Sequence, residues 1–98
     1  MNERDVQQVI IEVLTEIQTK SGRPLIALDG QTRPIGGLSG FDSLNAVEAT
    51  VELAGRLHCD IIEVNVFLNS EGTRPLCIQE ITDRLCGLLN REVATDGR

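Results

Sequence analysis

Apolar residues recur at steps of three and four along three stretches of this chain, and that spacing points to a helical fold. Val6, Val9, Ile10, Val13, Leu14 and Ile17 make one stripe on a helix from about Glu3 to Lys20. Asn2 suits its N-cap, and Gly22 and Pro24 end it, the glycine as a left-handed cap and the proline as a barrier. A second helix runs from near Ser43 to about Leu57, with Asp42 as its cap and His58 at its last turn, where a cation is favoured. Its residues Leu44, Val47, Val51 and Ala54 form one apolar row, and Ala46, Leu53 and Leu57 form a neighbouring one. So broad a face predicts packing on two sides. A last helix, from about Ile78 to Leu89, carries Ile78, Ile81, Leu85 and Leu88 at the same spacing. The expected fold class is all-α: a small three-to-four-helix bundle with a long first loop.

The segments between these helices carry weaker signals. Residues 21–41 show no period, yet Leu25, Ile26, Leu28, Ile35 and Leu38 are scattered among Gly, Pro, Asp, Gln and Thr. A structureless loop of that length is uncommon in a small domain, so it is expected to be pinned across the helices, with room for a short turn or strand-like piece. Residues 60–67 alternate as a strand would, but a lone strand has nothing to pair with, and a short bridging helical turn is predicted instead. Residues 69–75 read as a loop. One domain is expected over 1–90, followed by a polar, disordered tail at 91–98.

Composition narrows the function. With 98 residues and two aromatics, Phe41 and Phe67, the core must be aliphatic. A net charge of -6 opposes nucleic-acid binding and favours partners with basic patches. No apolar run approaches the roughly 20 residues that cross a bilayer, so no membrane insertion is expected. The opening Met1-Asn2-Glu3-Arg4-Asp5 lacks a secretory pattern, and a cytoplasmic monomer is expected. Cys59, Cys77 and Cys86 form no CxxC pair and read as small hydrophobes. His58 and Cys59 are consecutive and would point about 100° apart on a helix, which opposes a thiol enzyme. Asp42, Glu48 and Glu52 read as a solvated surface, and no metal site is expected.

The distinctive motif is Asp42-Ser43-Leu44, behind the lead-in Ile35-Gly36-Gly37-Leu38-Ser39-Gly40-Phe41. It sets a hydroxyl where a loop meets a helix N-terminus, with no base near it in sequence. Such a serine suits modification better than catalysis, because a phosphate on it would meet the partial positive charge of the helix start.

Leu38, Gly40, Asp42-Ser43-Leu44, Val47-Glu48, Leu57 and Ile61 stand at a spacing that resembles the acyl carrier protein family, over Ile35–Ile61, about a quarter of the chain. The resemblance implies an acyl-carrier-like bundle that is not itself an enzyme. It implies that Ser43 carries 4'-phosphopantetheine through a phosphodiester. A phosphopantetheinyl transferase would install the group from coenzyme A with magnesium, and its thiol would hold acyl groups as thioesters. Asp42 and Leu44 are then expected to present Ser43. Val47, Glu48 and Val51 are expected to meet the partners, namely acyl-loading and acyl-processing enzymes of fatty-acid or polyketide-like synthesis. Val51 and Leu53 could also contribute to the core, or to a cleft lined by the apolar rows that shelters an aliphatic chain.

The chain departs from the family pattern at Asn45, Ala54, Gly55, Arg56 and His58, places often acidic in carriers of bacterial fatty-acid synthesis. The linker before the last helix is also longer, and Cys77 stands where a Ser or Thr cap is usual. These departures suggest a specialised stand-alone carrier with its own partner enzymes. Two other readings stay open: a peptidyl or aminoacyl carrier, and a carrier-fold adaptor that is never modified.

Overall fold

A computed structural model of the chain describes residues 2–24, 26–58, 61 and 65–96, the last seven by backbone alone. Among them are four helices in the order α1 (Glu3–Lys20), α2 (Pro34–Gly37), α3 (Ser43–Leu57) and α4 (Ile78–Asp96), and no named strand. The chain is a small all-α bundle.

The ends of α1 follow from its sequence. Asn2 accepts a hydrogen bond from the Asp5 N–H at 2.8 Å, which satisfies one of the donors a helix start leaves over. At the other end Gly22 takes φ +69°. That left-handed turn sends the Gly22 N–H to the Thr19 carbonyl and the Arg23 N–H to the Gln18 carbonyl, at 3.1 and 2.9 Å. The paired bonds are those of a Schellman cap.

The stripe on α1 fills the centre of the molecule. Val6, Ile10, Val13 and Leu14 are buried and α1 packs against both α3 and α4. From α3 come Ala46, Ala49, Leu53 and Leu57, and from α4 Ile78, Ile81 and Leu85. The two phenylalanines close one end, their rings 5.6 Å apart and tilted by 56°, a favourable offset geometry. Thr50 is buried with them, and its hydroxyl donates to the Ala46 carbonyl at 2.8 Å and accepts from the Val66 N–H at 3.1 Å. The residues before α4 are thereby fastened to α3.

The long first segment is pinned, and what it grips is the start of α4. The Thr32 and Gly30 carbonyls accept from the Ile78 and Gln79 N–H groups, each at 2.8 Å. Glu80 accepts from the Cys77 N–H at 3.0 Å. The loop carbonyls thus satisfy donors at the helix start, among them the Gln79 N–H that a Ser or Thr cap could serve, Glu80 satisfies the N–H of Cys77, and Cys77 is buried. The short turn within the segment is α2, where Ile35 and Gly36 leave helical dihedrals.

The structure corrects the reading of α3. It packs on one side, with Ala46, Ala49, Thr50, Leu53 and Leu57 inside and Leu44 and Val51 70% and 69% exposed. At 100° per residue the two rows point roughly 120° apart, on different faces. α1 covers one of them.

Two further differences concern the second half. The helix expected to stop near Leu89 continues to Asp96, since Asn90 to Ala94 include no proline or glycine to break it. The helical turn expected at 60–67 falls partly outside the described residues (59, 60 and 62–64). At its described end Val66 and Phe67 form a turn in which the Leu68 N–H donates to the Asn65 carbonyl at 3.4 Å, after which Leu68 bridges to Pro75.

Two outcomes follow for stability. Leu53→Ala should cost about 2–5 kcal/mol in denaturant unfolding, whereas Val51→Ala should stay within about 0.5 kcal/mol; similar losses would contradict one-sided packing. The second concerns pH. The Cys77 N–H and then Arg74 hold the Glu80 carboxyl at about 2, against an ordinary 4.5. The unfolded chain therefore binds the extra proton, and the stability from Glu80 is present above pH 4.5 and lost as pH falls toward 2. The melting temperature of Glu80→Gln should fall less than that of the wild type across that window.

Candidate functional site

The Ser43 site is built from the end of α1 outward. Leu38 and Phe41 are buried, 6% and 4% exposed, and they anchor either side of an exposed Ser39-Gly40 pair. The Phe41 N–H donates to the Leu38 carbonyl at 3.2 Å, closing a β-turn. Gly40 holds φ +68° in it, a conformation that costs glycine little.

α3 begins directly after this turn. Asp42 accepts from the Asn45 N–H at 3.1 Å, and Asn45 reaches back to accept from the Asp42 N–H at 3.4 Å. This reciprocal capping box fixes the entry angle of the chain. It also accounts for Asn45: the side chain serves the helix start.

Ser43, the first residue of α3, is exposed, as are Asp42 and Leu44. The N–H groups of a helix's first residues have no acceptor within the helix, so the surroundings of the Ser43 hydroxyl are suited to an anion. The arrangement has the space and polarity for a phosphodiester on Ser43. The chain has one histidine, and it is remote from Ser43. His58 caps the far end of α3 with φ +53°, roughly 22 Å along a helix axis from Ser43. Cys59, the other member of the His58-Cys59 pair, lies outside the described residues. Among the described residues no group of three or more His, Cys, Asp or Glu could hold a metal ion, and no helix is long and apolar enough to cross a membrane.

The residues expected to meet partners, Val47, Glu48 and Val51, share one side of α3 with Leu44. Leu44, Glu48 and Val51 are exposed and Val47 is half-buried. They continue from Ser43 as an apolar ridge with one acid in it. Leu53 is in the core. The cleft expected along the apolar rows is differently made. An open groove runs between α1 and α3, with Val13 and Ile17 on the α1 side, but its α3 wall is Glu48 and Glu52. Arg56, one of the departures from the family pattern, bridges the two helices there: it pairs with Glu16 at 2.5 Å and Glu52 at 2.9 Å. The bond from Arg56 lowers the Glu16 carboxyl below its ordinary range.

Gln18 and Arg23 were not legible as part of this site. Gln18 is 2% exposed and its amide donates to the Ser39 carbonyl at 2.8 Å. Arg23 donates through Nη1 to Gln18 Oε1 at 3.3 Å and to Asn45 Oδ1 at 3.2 Å. A glutamine at the edge of an apolar stripe and an arginine after a glycine carry no sequence signal for a partner some 20 residues away. Comparison of the chain with family models, with curated proteins and with solved structures gave no match.

Proposed function

We propose that this chain is a carrier protein, with Ser43 as the attachment residue for 4'-phosphopantetheine. The observation that supports this best is the placement of Ser43: exposed, first in its helix, preceded by a capped turn and followed by an exposed apolar ridge. The attached group would supply a thiol that holds an acyl chain as a thioester. The chain's own residues do the rest. Asp42 and Asn45 hold the helix start in one geometry, and Leu44 and Val51 give a transferase or acyl-processing enzyme an apolar surface next to the serine. A carrier raises the local concentration of its cargo at a partner's site, which needs a tether and a docking face and no catalytic group.

The acidic share of that face is small. Glu48 lies on the ridge, while Glu52 is paired to Arg56. A docking face of this kind relies on Leu44 and Val51 for contact and on Glu48 for steering, consistent with a specialised carrier with dedicated partners.

Intact mass after incubation with coenzyme A, magnesium and a broad-specificity phosphopantetheinyl transferase tests the proposal. Wild type should gain one phosphopantetheine. Ser43→Ala should gain none and keep its melting temperature, because the side chain is exposed. A folded wild type that no transferase modifies would favour the unmodified adaptor. Glu48→Lys should slow association with acyl-processing partners, most at low salt, and leave stability within about 0.5 kcal/mol. Unchanged rates with every partner would remove Glu48 from the docking face.

A further inference from the structure

We infer that Arg23 is a positioning residue for Ser43, acting through the Ser39-Gly40 turn and the capping box; the inference rests on the carrier reading of that serine. Three observations meet at this side chain. Its guanidinium donates to Gln18 Oε1 on α1 and to Asn45 Oδ1 on α3, at 3.3 and 3.2 Å. Gln18, buried, spends its own amide on the Ser39 carbonyl at 2.8 Å. The arginine stem and Nε lie against the Gly40 backbone so closely that a Cβ built there would come within 2.7 Å of Nε. One side chain thus joins the last turn of α1, the turn before Ser43 and the first turn of α3.

The position of Arg23 is itself fixed. The Schellman cap at Gly22 binds the Arg23 N–H to the Gln18 carbonyl at 2.9 Å, so backbone and side chain of Arg23 both hold Gln18. Asn45 uses the same Oδ1 to accept from the Asp42 N–H at 3.4 Å. Removal of the guanidinium leaves the box with its two internal bonds but frees it from α1. The Ser39-Gly40 turn then keeps its Gln18 bond and loses the surface it rests on. Ser43 would stay exposed and become variable in direction. A transferase must bring the serine oxygen in line with a phosphorus atom, and small misplacement of reacting groups lowers rate steeply.

The test measures transferase kinetics on wild type, Arg23→Ala, Arg23→Lys and Gly40→Ala, with circular-dichroism melts and backbone amide NMR shifts beside them. Arg23→Ala should lower kcat/KM for modification about tenfold or more, with amide shifts changing at 39–45 and helicity retained. Arg23→Lys, which can keep one of the two bonds, should recover part of the rate. Gly40→Ala presses on the same contact from the other side and also strains the turn, which holds φ +68° there, so in the double variant its loss should add only in part to that of Arg23→Ala. Modification of folded Arg23→Ala at the wild-type rate would overturn the inference. Fully additive losses, or no rescue by lysine, would also count against it. Should Arg23→Ala fail to fold, the rate and the amide shifts of Arg23→Lys decide. A wild type that is never modified would refute the carrier reading instead, and the amide shifts would still decide the positioning: no change at 39–45 in Arg23→Ala refutes it.

Discussion

Everything in this molecule leans on α1. Its apolar stripe is the surface that both α3 and α4 bury, and with two aromatics in the chain the core around it is built mainly from aliphatic side chains. An aliphatic core of this kind depends on close fit, because each side chain removes little area from water. The small residues Ala46 and Ala49, fully buried on α3, suit a close approach of helices. The same economy leaves α3 with a second apolar row on its outer face, adjacent to the candidate modification residue.

Polar groups near the core are matched with equal care. Thr50 holds the residues before α4 to α3, and Thr82 returns its hydroxyl to the Ile78 carbonyl at 2.8 Å. Gln18 is buried with its amide on Ser39 and its carbonyl oxygen accepting from Arg23. An unpaired buried amide would cost about 1–3 kcal/mol, so these bonds select one path for the loops among many. The long first segment shows this most clearly, since its carbonyls at Gly30 and Thr32 complete the start of α4.

The sequence carried the helices and their caps well, because periodicity and capping chemistry are local. Asn2, Gly22 and Asp42 do what their residue types predict. The motif around Ser43 was legible for the same reason. What it could not carry was the side of α3 that would be covered, since two apolar rows on different faces look alike until the neighbouring helices are in place. The loop's grip on α4 was equally hidden, because backbone carbonyls have no residue signature. So was the extent of α4, where the apolar pattern ended before the helix did. The Arg23 contacts belong to this class: they join residues whose types are ordinary and whose meeting depends on the whole fold.

The contacts of α4 have a consequence for how the protein is made. Gln79 meets Gln7 and Glu3 across separations of 72 and 76 residues. Closing so long a loop is entropically costly and tends to come late. A ribosome delivers α1 and α3 well before α4, so the nascent chain has half of its central stripe uncovered until the last helix emerges. During that interval the exposed row of α3 and the bare side of α1 are both open to water, so the half-made chain shows more aliphatic surface than the finished one.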